Sequence, residues 1–337
     1  PEMLEMVKIL LQNERAYLAE GNIYYDVGKF PDYGKLSRNV GGNLLEGVRM
    51  ETDPLKRDPR DFTLWKKAEP GRDVYWDSEW GPGFPGWHIE CSAMAGKYLH
   101  EKFDIHTGGI DNVFPHHEDE IAQSEAVYND KHVNYWIHGQ HLLADGAKMA
   151  KSSGNVFMIR DLIERGFSPL AFRYLCLTVR YRHRMNFTFS SLRASQKALD
   201  SLRIRLWNWQ SEHERFVPSA ETLQKQEAFM NIVENDLDLP GGLAYLWKII
   251  KSDCSNGEKA YLLLAFDCVL GLGLNEPFDD FKIPSPVTSQ AKERSNLRSL
   301  ASYQESDEIR ASLSAEGYII QDYQQDTIIR PKMYLER

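Results

Sequence analysis

GWHIECS at residues 86–92 is the first of three segments that decide the fold, and it is followed by FPHHEDE at residues 114–120 and KMAKS at residues 148–152. The first two segments offer a thiol, imidazoles and carboxylates, and the third offers two lysines on one short loop. The groups of the first two segments suit a metal ion, and the two lysines of the third suit a polyphosphate. The three segments together indicate a site that combines both ligands.

A helix over the second segment would place two metal ligands on one face, because residues four apart on a helix are neighbours. His116 then pairs with Glu120, whereas His117 and Glu118 have only apolar residues at that spacing. Zinc accepts sulfur, nitrogen and oxygen ligands together, so Cys91 can join the pair from another element. We predict a zinc site made of Cys91, His116 and Glu120.

Each part of this site has an ordinary alternative. Cys91 alone would fit a buried core thiol, and residues 114–120 alone would fit the solvated acidic start of a helix. Lys148 and Lys151 alone would fit a surface loop. On a loop that follows Gly146, however, they can place two ammonium groups against nucleotide phosphates and stabilise the charge that develops there. The order of the three segments favours the combined site.

Longer stretches carry a family resemblance. KMAKS resembles the Lys-Met-Ser-Lys-Ser motif of class I aminoacyl-tRNA synthetases, with Ala150 at the central serine. YDVGKFPDYG at residues 25–34, KRDPRDFTLWK at residues 56–66 and FDIHTGGID at residues 103–111 resemble stretches of bacterial cysteinyl-tRNA synthetases in the same order. The resemblance covers nearly the whole chain. It implies an α/β fold: a Rossmann-like class I catalytic domain, of which the second half is present, followed by an α-helical bundle and a small C-terminal element.

The resemblance implies ATP-dependent attachment of cysteine to tRNA(Cys) through a cysteinyl-adenylate, with ATP used as its Mg²⁺ complex. Cys91, His116 and Glu120 match the family's zinc ligands, and Lys148 and Lys151 match its ATP-activating loop. The residues that match the pocket for the amino acid and ATP are Trp87, His106, Gly108, Gly109 and Asp111.

Zinc gives this assignment a physical reason. A pocket that separates cysteine from serine by size alone gains only ~1–3 kcal/mol of discrimination. A metal ion that binds the substrate thiolate adds a preference for soft sulfur over a neutral hydroxyl. His117 and Glu118 are expected to orient a ligand of this metal rather than to bind it.

Two motifs that the resemblance calls for are not found in this sequence. No cysteine precedes Cys91, no histidine precedes His88, and the sequence starts with Pro1. An early cysteine ligand and a His-x-Gly-His segment are therefore lacking. We interpret the sequence as the remainder of a longer polypeptide, with true truncation as the alternative. A parallel sheet without its other strands would expose apolar surface and lower solubility.

The chain is predicted to have five segments. They are a helix at 1–20, a strand-rich connective insertion at 21–85, the second half of the nucleotide-binding domain at 86–190, a tRNA-binding helical bundle at 191–276, and a linker with a small anticodon-end element at 277–337. Helices of the bundle are predicted over residues 192–213, 219–234, 243–252 and 259–270. Ser219 is the expected N-cap of the second, and Gly271 is expected to end the fourth.

The net charge indicates how the chain could contact tRNA. The net charge of −9 argues against a surface that is basic throughout, so contacts with tRNA are expected from a local basic stretch. Its members are Arg173, Arg180, Arg182, His183, Arg184, Arg193, Lys197, Arg203 and Arg205.

The irregular spacing of the cysteines fits a reducing cytoplasm, and no apolar run is long enough for a membrane span. Cys176, Cys254 and Cys268 are predicted to lie in the core. We expect a monomer.

Two other functions are left open by the sequence. A ligase of the mycothiol-pathway type would share the catalytic domain but would join cysteine to an amino sugar, and the C-terminal element argues against it. An inactive truncated paralogue that binds RNA would lack the N-terminal motifs, as this sequence does.

Overall fold

The computed structural model describes residues 1–39, 53–148, 156–275, 283–323 and 326–331. It divides into two compact units, Pro1–Gln140 and His141–Arg337. Each unit has a hydrophobic core of its own.

The first unit combines helices with a small antiparallel sheet and a parallel strand pair. Its helices are α1 (Glu2–Gln12), α2 (Trp87–Leu99) and α3 (Glu118–Tyr128). Its strands are β1 (Ala16–Ala19), β2 (Asn22–Tyr25), β3 (Phe62–Lys67), β4 (Gly83–Pro85), β5 (Phe103–Gly109) and β6 (Val133–Gly139). Strands β1 to β4 pair in chain order, and β5 pairs with β6 in parallel. Val7, Leu10, Ile23, Leu64 and Ile89 form the core where α1 and α2 meet the sheet.

The helix predicted at residues 1–20 is shorter than expected. It ends at Gln12, and Glu14 has a φ of 57°, a left-handed conformation that stops the helix. Residues 16–19 instead form β1, which pairs with β2 across a turn at Gly21. The sheet offers these residues interstrand hydrogen bonds and buries Ala16 and Tyr17, which a longer helix would not. Within the insertion predicted at 21–85, the described residues form strands β2, β3 and β4.

The alternation of helices and strands expected after residue 86 is present as α2, β5, α3 and β6. In the parallel pair, His106 lies opposite Trp136 and Gly108 opposite His138. Apolar surface is also exposed at this pair, since Ile105 and Tyr135 retain 56% and 68% of their side-chain exposure.

The second unit is mainly helical. Its strands β7 (Leu142–Ala144), β8 (Ala147–Lys148) and β9 (Met185–Phe187) form one small sheet. Its helices are α4 (Ile159–Glu164), α5 (Pro169–Leu177), α6 (Phe189–His213), α7 (Ala220–Glu234), α8 (Leu239–Lys251), α9 (Asn256–Leu270), α10 (Ser285–Ser299) and α11 (Tyr303–Ala315). A hairpin of β10 (Tyr318–Tyr323) and β11 (Asp326–Pro331) follows.

The four helices predicted for the bundle are confirmed as α6 to α9. Ser219 accepts a hydrogen bond from the Thr222 backbone as the N-cap of α7, and Gly271 ends α9 in the left-handed conformation. The prediction of a linker after residue 277 is wrong for the residues that form helix α10. That helix starts at Ser285 with a proline in its first turn, where the missing N–H costs nothing, and it buries Val287, Ala291 and Arg294 on one face.

The prediction that three cysteines lie in the core is also wrong. Cys176 and Cys268 are exposed, and Cys254 is half-buried. Each lies on or beside an apolar helix but on its outward side, which composition alone does not reveal.

A buried ion pair fixes the C-terminal hairpin to α10. Arg294 is fully buried and donates two hydrogen bonds to the Asp322 carboxylate, one of them 2.8 Å long. Replacing Asp322 with alanine would leave this guanidinium buried without its carboxylate. Since Asp322 itself is one-third exposed, we expect a loss of about 2 kcal/mol of unfolding free energy, less than a fully buried pair would lose. Urea unfolding measures it. Asp130→Ala, which removes the exposed pair with Lys102, should change stability by less than about 0.5 kcal/mol.

The same pair makes the stability of the C-terminal element depend on pH. Hydrogen bonds from Arg294 lower the pKa of Asp322 below 3.8. The carboxylate therefore contributes its full stabilisation above that pH, and the contribution is lost as the pH falls through the lowered value.

Candidate metal centre and its surroundings

Gly86 allows helix α2 to start close to strand β3. A Cβ atom at this position would lie 2.0 Å from the carbonyl oxygen of Thr63, so a side chain does not fit. The helix starts at the next residue, which places Trp87 and His88 in its first turn. Cys91 follows one turn later on the same face as Trp87.

Helix α3 and the segment just before it supply the other two predicted ligands. Its first residues follow a tight turn over Val113–His117, and they are buried despite their charge. His116 and Glu120 are 4% and 2% exposed. His116 Nε2 lies 3.0 Å from Glu120 Oε1, at the four-residue spacing expected from the sequence.

The structure brings Cys91, His116 and Glu120 together. One donor atom from each lies within 4.8 Å of the other two. Glu120 Oε1 is buried and has no hydrogen-bond partner among the described residues, which is costly unless a cation balances it. Sulfur, nitrogen and oxygen donors in this number are what zinc accepts. The donor set therefore fits zinc.

Burial sets the protonation of the Cys91 thiol. Together with the nearby Glu120 and Glu90 carboxylates, it raises the pKa of this thiol to about 11. A bound cation would reverse this preference and favour the thiolate, which is the ligand form.

A second candidate group shares Glu120. Donor atoms of His106, His117 and Glu120 also lie within 4.8 Å of one another. The separations are 3.7 Å from His106 Nε2 to Glu120 Oε2 and 4.0 Å from His117 Nε2 to Glu120 Oε1. Burial lowers the pKa of His117 to about 3 and lowers that of His106, so both rings are neutral and able to bind metal. The sequence prediction missed this group, although the three-residue spacing of His117 and Glu120 was a usable signal.

Aromatic rings surround the two groups. Trp87 is 58% exposed and stacks on His116 with ring centroids 3.9 Å apart. His106 stacks on Trp136 at 4.6 Å, and His117 Nδ1 lies 2.8 Å from His138 Nε2. The exposed face of Trp87 is free to contact a ligand above the metal donors.

Gly108, Gly109 and Asp111 lie at the carboxyl end of β5, where parallel strands commonly bind ligands. Asp111 is exposed in a short turn after the strand, and its Oδ1 lies in the space that a side chain on Gly109 would need. Glu118, by contrast, points away from the ligand donors: it is buried and accepts hydrogen bonds from the backbone N–H groups of Leu36 and Ser37.

Gly108 leaves room for His117. A Cβ at Gly108 would lie 2.5 Å from His117 Cε1, so Gly108→Ala should displace the imidazole and destabilise the first unit by ~1–3 kcal/mol. The matched control is Gly139→Ala on the neighbouring strand, where no atom lies within 4 Å of the added carbon. Thermal unfolding of both variants measures the difference, and equal melting temperatures would contradict the close contact.

The predicted ATP-loop lysines are only partly covered by the structure. Lys148 ends strand β8, of which only the backbone is described at that residue, and Lys151 lies outside the described residues together with Ala150.

In the second unit, some residues of the predicted basic stretch are buried or form ion pairs, and others remain exposed. Arg203 is buried, and Arg180 and Arg182 form ion pairs with Asp238 and Asp236. The members that remain exposed include Arg184, Lys197 and Arg205. Within the described residues, no helix combines the length and the apolar character that crossing a membrane requires.

The parallel strand pair β5 and β6 and the helices that carry the candidate donors lie in the part of the chain that matches a class I tRNA synthetase catalytic domain. A family model described as the class I (C) tRNA synthetase catalytic domain matches residues 1–197. The full chain is 38% identical to a cysteine–tRNA ligase of Brachyspira hyodysenteriae, over 95% of this chain and 72% of that protein. Identity is 40% to such a ligase of Burkholderia lata, over 95% and 68%, and 38% to one of Thermus thermophilus, over 100% and 73%. The chain belongs to the cysteine–tRNA ligase family, which confirms the fold class and family inferred from the sequence.

Proposed function

We propose that this chain attaches cysteine to tRNA(Cys) in an ATP-dependent reaction that passes through a cysteinyl-adenylate. The observation that carries the proposal is the convergence of Cys91, His116 and Glu120 beneath the exposed Trp87 ring. In a member of the cysteine–tRNA ligase family, such a donor set has an evident purpose, because the substrate itself carries a thiol.

Cys91, His116 and Glu120 would hold the zinc ion. When bound, zinc supplies a soft Lewis acid that prefers a thiolate to a neutral hydroxyl. Trp87 would cover the substrate side chain with its exposed ring face, and this apolar contact would also exclude water. The selection of cysteine over serine would then depend on metal–sulfur bonding as well as on the shape of the pocket. Together they would discriminate more strongly than size alone.

The strand end at Gly108 and Gly109 lets His117 and Asp111 lie close to the backbone, since neither glycine has a side chain. Asp111 offers an exposed carboxylate that can accept hydrogen bonds from the substrate ammonium group. His106 is neutral and can donate or accept a single hydrogen bond beside the same position. These groups would orient the substrate carboxylate for reaction.

The substrate carboxylate would attack the α-phosphate of Mg²⁺-ATP, forming the adenylate as pyrophosphate leaves. Lys148 and Lys151 would place positive charge on the departing phosphates, which lowers the barrier electrostatically. The terminal ribose hydroxyl of tRNA would then attack the adenylate carbonyl and release AMP.

The second unit would hold the tRNA. The exposed cations Arg184, Lys197 and Arg205 are suited to phosphate contacts that position the RNA without reading its bases. Helices α10 and α11 with the C-terminal hairpin would contact the anticodon end, as the resemblance implies.

The test is cysteine-dependent exchange of pyrophosphate into ATP on the full chain, with serine as the control and zinc measured in the same sample. We expect exchange with cysteine, little with serine, and zinc bound to the protein. Transfer of labelled cysteine to tRNA(Cys) then tests the second step.

Each alternative gives a different result. Exchange with cysteine but transfer to an amino sugar instead of tRNA would identify the mycothiol-pathway type of ligase. Zinc binding without any exchange would contradict the proposed adenylation.

A further inference from the structure

A line of polar side chains leads from the connective insertion to the metal-binding histidine. Tyr33 donates a hydrogen bond to Asp119 Oδ1. Asp119 Oδ2 lies 3.3 Å from His88 Nε2, and His88 Nδ1 lies 2.7 Å from His116 Nδ1. Four side chains from three parts of the sequence thus stand in series, and the last of them is a predicted zinc ligand.

Asp119 is an unusual residue to bury. It is 1% exposed, although its side chain carries a carboxyl group. Its Oδ2 atom has no hydrogen-bond partner among the described residues, although it faces His88. A buried carboxylate oxygen without a donor is destabilising, so a donor that completes this contact would be favoured.

The order of donors along the line follows from one requirement. A histidine binds metal through a nitrogen that carries no proton, so His116 must keep its proton on Nδ1 if Nε2 is to face Cys91 and Glu120. His116 Nδ1–H then donates to His88 Nδ1, and His88 must carry its own proton on Nε2. His88 Nε2 then presents its N–H 3.3 Å from the vacant Oδ2 of Asp119, close enough for a small movement to form the hydrogen bond, while Tyr33 donates to the other carboxylate oxygen.

We propose that Tyr33, Asp119 and His88 act as a positioning relay that holds His116 in the tautomer and ring orientation that bind zinc through Nε2. The proposal rests on the zinc site assigned above. It extends the usual carboxylate–histidine–metal arrangement by one imidazole, so that the carboxylate acts on the ligand through His88.

The packing supports a role in orientation. His116 is clamped on one face by the Trp87 ring and at its edge by His88, which itself lies edge-on to Phe62 at 5.7 Å. A neutral imidazole accepts at one nitrogen while it donates at the other, which is what this arrangement requires of His88.

The experiment measures zinc affinity directly, by competition with a fluorescent chelator on the full chain. The variants are Asp119→Ala, Asp119→Asn, His88→Phe and Tyr33→Phe. We expect Asp119→Ala and His88→Phe to weaken zinc binding roughly 10–100-fold, the usual effect of removing a partner of a metal ligand. Asp119→Asn should recover part of the loss, because the amide oxygen still accepts from His88.

A matched control lies in the same unit. Tyr17 donates to the buried Asp61 carboxylate over 2.7 Å, which reproduces the Tyr33–Asp119 contact at a carboxylate whose other partners are backbone N–H groups and not an imidazole. Tyr17→Phe and Asp61→Asn should therefore cost stability but leave zinc affinity unchanged. Cobalt substitution adds a spectroscopic readout, since altered orientation of His116 should change the visible absorption of the relay variants and not that of the controls.

The proposal is overturned if Asp119→Ala and His88→Phe remain folded and bind zinc within about 3-fold of the parent chain, well inside the range expected for such partners. Equal losses in the Asp61 control would also overturn it, because they would reflect general destabilisation. Should Asp119→Ala fail to fold, the zinc affinities of Asp119→Asn and Tyr33→Phe decide whether the relay positions His116. Pyrophosphate exchange on the same samples separates this result from the proposed function: a parent that binds zinc but catalyses no exchange contradicts the function and leaves the relay standing.

Discussion

Cys91→Ser should remove the zinc ion and, with it, the selection of cysteine. Serine keeps the size of the side chain but offers a neutral hydroxyl, a poor ligand for a borderline-soft metal at neutral pH. Because loss of a mere partner of a ligand costs roughly 10–100-fold in affinity, loss of the ligand itself should cost at least about 100-fold. Zinc content after dialysis, measured by atomic absorption, gives the result, and cysteine-dependent exchange should fall with it.

The control for this substitution is Cys176→Ser. Cys176 is exposed on α5 in the second unit, so its loss should leave both zinc content and exchange unchanged. A Cys91→Ser protein that retains one zinc ion per chain would contradict the ligand assignment. In that case His106, His117 and Glu120 would become the better candidate for the metal site, since they form the second donor group around the same carboxylate.

Lys151→Ala is expected to slow adenylation without affecting the metal. Removing one preorganised positive group from a developing negative charge typically lowers kcat by about 10²–10³-fold. The measurement is the rate of pyrophosphate exchange at saturating ATP and cysteine, with zinc content as a second readout that should not move.

Lys102→Ala controls for the loss of a surface charge. Lys102 is half-exposed and pairs over 3.4 Å with the exposed Asp130 at the start of the parallel strands. Its removal should leave exchange at the parental rate. If Lys151→Ala also exchanges at that rate, the ATP loop has been assigned to the wrong residue, and Lys148→Ala becomes the informative variant.

Local spacing was sufficient for much of the fold. The four bundle helices, the Ser219 cap and the Gly271 stop follow from propensity and capping, which depend on residues within one or two turns. The same rules also contained the signal for α10, in Pro286 of its first turn and the buried positions of its inner face, but the prolines and serines were interpreted as a linker. At the other end, β1 was assigned to a helix because its pairing partner, and not its own pattern, decides that it is a strand.

The candidate site, too, was predicted from the sequence only in part. His116 and Glu120 could be paired from the sequence because the helix itself sets their separation, and the motif order added Cys91 and the two lysines. Neither the sharing of Glu120 by two donor groups nor the line from Tyr33 through Asp119 and His88 could be derived in this way. Those side chains come from separate elements whose approach is set by packing.

By itself, the sequence determined the family, the helical second unit and the chemical nature of the candidate donor groups, since each depends on residue type and short spacing. Only the tertiary structure decided which buried carboxylate faces which imidazole, which cysteines reach the surface and which arginines remain exposed. Burial and hydrogen-bond geometry are properties of the packed chain, because they depend on atoms that lie tens of residues apart and meet only when helices α2 and α3 pack against the sheet.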